Sequence, residues 1–231
     1  MDDLPIPILT AGIRNFAWVE RGVVARGEQP PLQPTTFTEL KKLGISAIVS
    51  LRPDREAPST NSPTPLPEYH VEEEQALVEA AGLRFAHTPI PDFTAPSPDQ
   101  LVLVLTTLDQ LVREQPGVYV HCRAGAGRTS LITCAWSIAR GASGDDAART
   151  YARFMTEASL ATGRPRGQWP ELFKRVGQPY ALWGLHAVAA AMGSPVSYVA
   201  VDLLPPQKPP DADHWEERYR EVLEDWRRVC S

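Results

Sequence analysis

Five small or basic residues separate a cysteine from an arginine in the stretch His121-Cys122-Arg123-Ala124-Gly125-Ala126-Gly127-Arg128-Thr129. The preceding Gly117-Val118-Tyr119-Val120 is β-branched and aromatic and reads as a short buried strand. From Thr129 to Arg140 the pattern becomes helical and stops at Gly141. A strand, a glycine-rich loop and a helix N-terminus in that order direct successive backbone N–H groups, and the positive end of the helix dipole, at one point. An oxyanion with several equivalent oxygens suits such a cradle.

The cysteine is placed to react. A free thiol with a pKa near 8.5 is a few per cent thiolate at neutral pH, and helix N-termini and cations lower that value to roughly 3.5–7.5. Cys122 has His121 beside it and Arg128 at the far end of the same loop. The Arg128 fork suits two equatorial oxygens of a phosphoryl group, a geometry lysine cannot match. The loop residues Arg123, Ala124, Gly125, Ala126, Gly127 and Arg128 are therefore the candidate phosphate-binding set. The Thr129 hydroxyl lies where it can hydrogen-bond the sulfur. A Walker loop is excluded, because it ends in Gly-Lys-Ser/Thr and no lysine stands here.

These residues resemble the H-C-x-x-G-x-x-R-S/T signature of the cysteine-based protein tyrosine and dual-specificity phosphatases, matching at His121, Cys122, Gly125, Arg128 and Thr129. The resemblance is to the small atypical dual-specificity phosphatases in particular. It extends over about residues 13–160, through Asn15-Phe16-Ala17-Trp18-Val19, Val23-Val24-Ala25-Arg26 and Leu43 to Leu51. It implies a nucleophile, Cys122, a phosphate-gripping Arg128, and no cofactor or metal.

Expelling an alkoxide or phenoxide needs a general acid, and the resemblance implies an aspartate on a loop upstream of the nucleophile. Asp92, in Thr88-Pro89-Ile90-Pro91-Asp92-Phe93, stands thirty positions before Cys122 after a predicted strand, Leu83 to His87. Ser97, Pro98 and Gln100 read as a capped helix start, which gives Asp99 a dipole role instead. Arg52 follows the predicted strand Ile45–Leu51, whose end should lie near the loop. Two readings stand for it: added positive charge for a phosphorylated substrate, or a solvated loop residue.

Alternation of strands and helices argues an α/β fold, a central mostly parallel β-sheet flanked by helices, with a helical C-terminal extension. The expected division is a phosphatase core at 1–160 and an extension at 161–231 packed on it. Helices are expected at Thr36–Leu43, Glu72–Ala81, Pro98–Gln115, Ser143–Ala158, Ala181–Met192 and Asp213–Val229, and a hairpin at 16–27. Residues 53–68 carry Pro53, Pro58, Pro63, Pro65 and Pro67 and read as an irregular insertion without an element. Arg164 and Arg166 either widen a positive rim or sit in a solvated loop.

With 28 acidic against 23 basic residues the net charge is −5, which disfavours nucleic acid as a partner and leaves any positive focus local. Three cysteines do not make a disulfide framework, and a nucleophilic thiol needs reducing surroundings, so a cytoplasmic location is expected. Met1-Asp2-Asp3-Leu4-Pro5 lacks the basic start of a signal peptide, and the apolar stretch Tyr180 to Met192 is too short to span a bilayer. Cys134 is expected to be packed and Cys230 peripheral.

The activity these features support is phosphomonoester hydrolysis through a phosphocysteine, on a phosphorylated protein or a small phosphomonoester. The same chemistry admits a phosphoinositide or inositol phosphate substrate, toward which Arg123 points and from which Ala126, where lipid phosphatases carry a second base, points away. A catalytically silent phosphate-recognising module is the reading from another class, and the joint presence of Cys122, Arg128 and Asp92 argues against it.

Overall fold

A computed structural model describes residues 9–57, 68–161, 171, 173–200 and 203–230. Its main sheet has the spatial order β1 (Ala17–Glu20), β2 (Val24–Gly27), β7 (Val118–His121), β3 (Ala47–Ser50), β6 (Arg84–His87). The β1–β2 pair is the antiparallel hairpin and the other three pairings are parallel. All residues of β2, β3 and β7 are buried, whereas the two edge strands are only partly covered. Strands buried on both faces read as continuous apolar runs, which is why the central strands were legible.

Each face of the sheet has its own core. Val24, Val49, Val118 and Val120 pack with α3 (Pro98–Glu114), α4 (Gly127–Ala139), α5 (Gly144–Ala161), α6 (Gln178–Ala191) and α7 (Trp215–Cys230). Ala25, Ile48 and Tyr119, alternating with them, pack with Phe37 and Leu40 of α1 (Pro34–Lys42) and Val78 of α2 (Val71–Ala80). Helix α3 starts with the expected capping box: Gln100 N–H donates to Ser97 Oγ at 3.3 Å and Ser97 N–H to Gln100 Oε1 at 2.8 Å. Amphipathic α7 buries Tyr219, Leu223 and Trp226 and packs on α3 and α6. Among the described residues no helix is long and apolar enough to cross a membrane.

Two departures from the sequence reading stand out. Arg55–Glu56 is a two-residue strand, β4, antiparallel to β5 (Tyr69–His70), so the 53–68 segment does contain an element. Strands of two residues are too short for a period of two to show, and the partner lies on the far side of residues 58–67, outside the described residues. A π-helical turn at Phe173–Gly177 leads into α6, which no local pattern announced. Arg164 and Arg166 also fall outside the described residues.

The parallel registers position the site. Ser50 pairs with His121 and with His87, and Gly27 pairs with His121, so all four strands end at one level. The residues that follow, Glu28 and Gln29, Arg52, Thr88 to Asp92 and Cys122, therefore emerge along one edge of the sheet, where ligands of open α/β sheets bind.

Candidate active site

Between β7 and α4 the chain makes a tight loop whose carbonyl oxygens are all engaged on its outer side. His121 Nδ1 donates to Cys122 O at 3.3 Å, Gln29 N–H to Arg123 O at 3.1 Å, Asn15 Nδ2 to Ala124 O at 2.9 Å, and Ser130 N–H to Ala126 O at 3.0 Å. Arg26 Nη2 donates to Gly125 O and also to Ser130 Oγ at 2.8 Å. In a trans peptide the N–H points opposite to the C=O. Five consecutive carbonyls held outward therefore turn the following N–H groups inward, toward one centre, and the first turn of α4 adds its own unpaired donors. The loop expected to cradle an anion, Arg123, Ala124, Gly125, Ala126, Gly127 and Arg128, is thus held in shape by named partners on β2, on the β1 approach and on α4.

Gly125 is required by that geometry. Its φ is +62°, and a Cβ there would lie 2.3 Å from the carbonyl carbon of Gly27. Arg26 is the unusual support. It is fully buried at the end of β2, with its guanidinium 4.2 Å over the ring of Phe154.

Cys122 is 3% exposed at the head of the loop. Arg128, likewise 3% exposed, donates from Nη1 to Ile90 O at 3.1 Å and places Nη2 2.9 Å from Asp92 Oδ1 and 3.4 Å from Glu56 Oε1. Burial opposes its charge, but its electrostatic interactions with Cys122, Asp92 and Glu56 hold its pKa above the usual arginine value. The three residues expected to carry the chemistry, Cys122, Arg128 and Asp92, are thus brought together. Asp92 is about one-third exposed and sits at the mouth, with Phe93 next to it at φ +59° and donating its N–H to Asp92 Oδ1 at 3.1 Å.

Helices of the C-terminal part hold the far end of that loop. Tyr219 OH of α7 donates to Pro96 O, and a Cβ on Gly184 of α6 would stand 2.9 Å from the Ala95 side chain.

Thr129 does not make the expected bond to sulfur. Its Oγ1 is buried without a hydrogen-bond partner among the described residues. Cys134 is fully buried in α4, and burial pushes its thiol up to about 12, consistent with a packed residue.

Four supporting residues escaped the sequence reading. Glu74 of α2 is completely buried, 3.0 Å from His121 Nε2, and accepts from Gln29 Nε2 at 2.8 Å and Tyr69 OH at 2.7 Å. The two ring nitrogens of His121 thus face oxygens of Cys122 and Glu74. Burial works against the charge of Glu74, and His121, Tyr69 and Gln29 outweigh it, holding the carboxyl below its usual range. The signal for Glu74 was weak: an acid four residues before Val78, on the apolar face of α2. Asn15 and Arg26 were visible as polar residues beside apolar strands, without an indication of what they hold.

Glu56 on β4 is the fourth, and three guanidinia converge on it. Arg52 Nε lies 2.5 Å from Glu56 Oε2, Arg123 Nε 3.2 Å from the same oxygen, and Arg128 Nη2 3.4 Å from Oε1. Burial raises its pKa, but the three arginines prevail and hold it below the usual carboxylate range. Arg52 is 2% exposed, which removes the reading of a solvated loop residue.

Residues 22–142 match the family described as "Tc-R-P: Polymorphic toxin system, DSP-PTPase phosphatase". Among solved structures, the active form of Tk-PTP is 26% identical with a TM-score of 0.49, covering 76% of this chain and 97% of that one. TpbA of P. aeruginosa in complex with pTyr is 17% identical with a TM-score of 0.49, covering 80% and 94%. The core catalytic domain of the PP-IP phosphatase SIW14 from S. cerevisiae is 16% identical with a TM-score of 0.46, covering 70% and 91%.

Proposed function

The chain belongs to the DSP-PTPase phosphatase family of polymorphic toxin systems, and we propose from that membership and the loop geometry that it hydrolyses phosphomonoesters through a phosphocysteine at Cys122. The observation that carries this reading is the cradle itself: five outward-held carbonyls around a loop that starts at Cys122 and ends at Arg128, with Asp92 2.9 Å from the Arg128 guanidinium.

In the first step the Cys122 thiolate attacks phosphorus and the bond from phosphorus to the ester oxygen breaks. Asp92 gives its proton to the departing oxygen, and Arg128 with the loop amides holds the three equatorial oxygens as charge redistributes. In the second step a water, deprotonated by Asp92, attacks the phosphocysteine, releasing phosphate and restoring the thiolate. His121 and Glu74 fix the strand end from which the loop departs. No metal or organic cofactor is required by these steps.

The substrate class we assign is a phosphorylated protein, at tyrosine or with dual specificity, or a small phosphomonoester. We also propose that residues 1–160 form the catalytic core and 161–231 an extension whose described helices steady the acid loop through Pro96 and Ala95. The decisive experiment is hydrolysis of an aryl phosphate by the purified protein and by Cys122→Ser. Turnover by the first, with none by the second and a trappable phosphoenzyme in the first, is expected; undiminished turnover by Cys122→Ser would end the mechanism.

A further inference from the structure

We propose that Arg52 and Arg123 form, next to Arg128, a subsite for a second phosphate group carried close to the scissile one, which the carboxylate of Glu56 fills in this structure. The inference rests on the phosphatase reading above and specifies the substrate class of the same site.

A carboxylate is planar and has two oxygens. Here those two serve three guanidinia, and the fit is incomplete. Arg52 Nε is bound to Glu56 Oε2 at 2.5 Å, yet Nη2, which lies on the same edge of the guanidinium, is fully buried with no hydrogen-bond partner among the described residues. Arginine presents that edge as a fork suited to two oxygens of one anion. Arg123 Nε, 3.2 Å from the same oxygen, is also buried without a directed hydrogen bond. Arg123 Nη2 donates to Ala57 O, so that residue offers its Nε; a terminal phosphate, with three oxygens in a tetrahedral array, can meet the Arg52 fork and the Arg123 Nε together, as Glu56 cannot.

The subsite is preorganised. Arg52 is clamped from two other sides, with Cζ 3.8 Å over the ring of Tyr69 and Nη1 3.4 Å from Gln29 Oε1. Tyr69 is itself fixed by Glu74, and Gln29 by Glu74 and by its own N–H to Arg123 O. Burial, and the neighbouring Arg123 charge, lower the pKa of Arg52, and Glu56 only partly compensates. Two guanidinia packed side by side and desolvated are stabilised by an anion of higher charge than a single carboxylate. Arg128 belongs to both places: its Nη2 reaches Glu56 while its loop lines the cradle at Cys122, so the two phosphate positions are adjacent.

The test compares methylenediphosphonate with methylphosphonate as inhibitors of aryl phosphate hydrolysis, since they differ only in the second anionic group. The expected result for the unmodified protein is tighter inhibition by the diphosphonate by about tenfold or more. Arg52→Gln and Arg123→Gln should each collapse that ratio toward unity, and Glu56→Gln should widen it. Equal inhibition of the unmodified protein by both compounds overturns the proposal. So does a parallel loss for both compounds in the arginine variants, which marks the cluster as structural.

Arg123→Gln, at a partly exposed position, keeps the test open if Arg52→Gln does not fold. If aryl phosphate is not hydrolysed at all, the phosphatase reading fails on its own. Calorimetric titration of the unmodified protein with the same two compounds then still decides the subsite, by the same ratio.

Discussion

Asp92 Oδ1 stands 2.9 Å from Arg128 Nη2, so the candidate acid is the direct partner of the guanidinium proposed to grip the phosphoryl oxygens. In the proposed mechanism this contact steers Asp92, from a partly exposed loop, to the edge of the cradle where the leaving oxygen departs. Asp92→Asn keeps the shape and a hydrogen bond to Arg128 but supplies no proton. Its kcat should fall by roughly 10²–10⁴-fold for an alkyl phosphate. The loss should shrink for an aryl phosphate whose phenoxide leaves without protonation. A uniform loss across leaving groups would show that Asp92 only orients Arg128.

Gly125 tests the cradle itself. Its φ of +62° and the 2.3 Å approach of a Cβ to the Gly27 carbonyl leave no room for a side chain. Gly125→Ala must shift β2 or the loop, and either movement breaks the Arg26 bond to Gly125 O. The expected outcome is a stability loss on the order of 1–3 kcal/mol in denaturant unfolding. Activity should be lost even at temperatures where the variant is fully folded. A folded and active Gly125→Ala protein would refute the account of the loop.

What was legible beforehand follows from how local each feature is. The Ser97–Gln100 capping box, the strand into Cys122 and the apolar runs of β3 and β7 are each contained in a few consecutive residues. They were readable for that reason. Glu74 and Glu56 were not, because their partners are far along the chain. Glu74 meets His121 across 47 positions, and Glu56 meets Arg123 and Arg128 across 67 and 72. Charge in such places reads as solvated surface until the fold brings counter-ions to it. Arg52 shows the same limit, with the strand end predicted and the burial not.

Tyr219 tests whether the C-terminal helix contributes to the site. Its hydroxyl donates to Pro96 O, and burial pushes its phenol up, so it remains a neutral donor. Tyr219→Phe keeps the ring packing against Trp183 and Trp215 but frees the end of the acid loop. A stability loss of about 1 kcal/mol is expected for the bond. The kcat should fall for alkyl more than for activated aryl phosphates, as for Asp92→Asn but to a smaller extent. If stability falls and the leaving-group dependence is unchanged, α7 is a scaffold only.

The pair Glu74 and His121, 3.0 Å apart and completely buried, gives a pH dependence of defined sign. In the folded protein the Glu74 carboxyl is held below its usual range, and in the unfolded chain it returns to an ordinary value of about 4.3. On acidification the unfolded chain therefore takes up the proton first. The stability contributed by this group is complete above the unfolded pKa and is lost as the pH falls through the folded one. Glu56, also held low by its arginines, acts in the same direction and window. Glu74→Gln removes the buried carboxylate that His121, Tyr69 and Gln29 surround and should cost roughly 3–5 kcal/mol at pH 7, typical of breaking one side of a buried pair. Because the variant no longer titrates at this position, its unfolding free energy should fall less steeply between pH 5 and pH 3 than that of the unmodified protein, an interval set by the ordinary carboxyl value of about 4.3. Urea titrations across that interval decide the matter. Parallel curves for the two proteins would mean that the Glu74 carboxyl titrates alike in the folded and unfolded chains, and a steeper fall for the variant would mean that the fold holds it above its ordinary value.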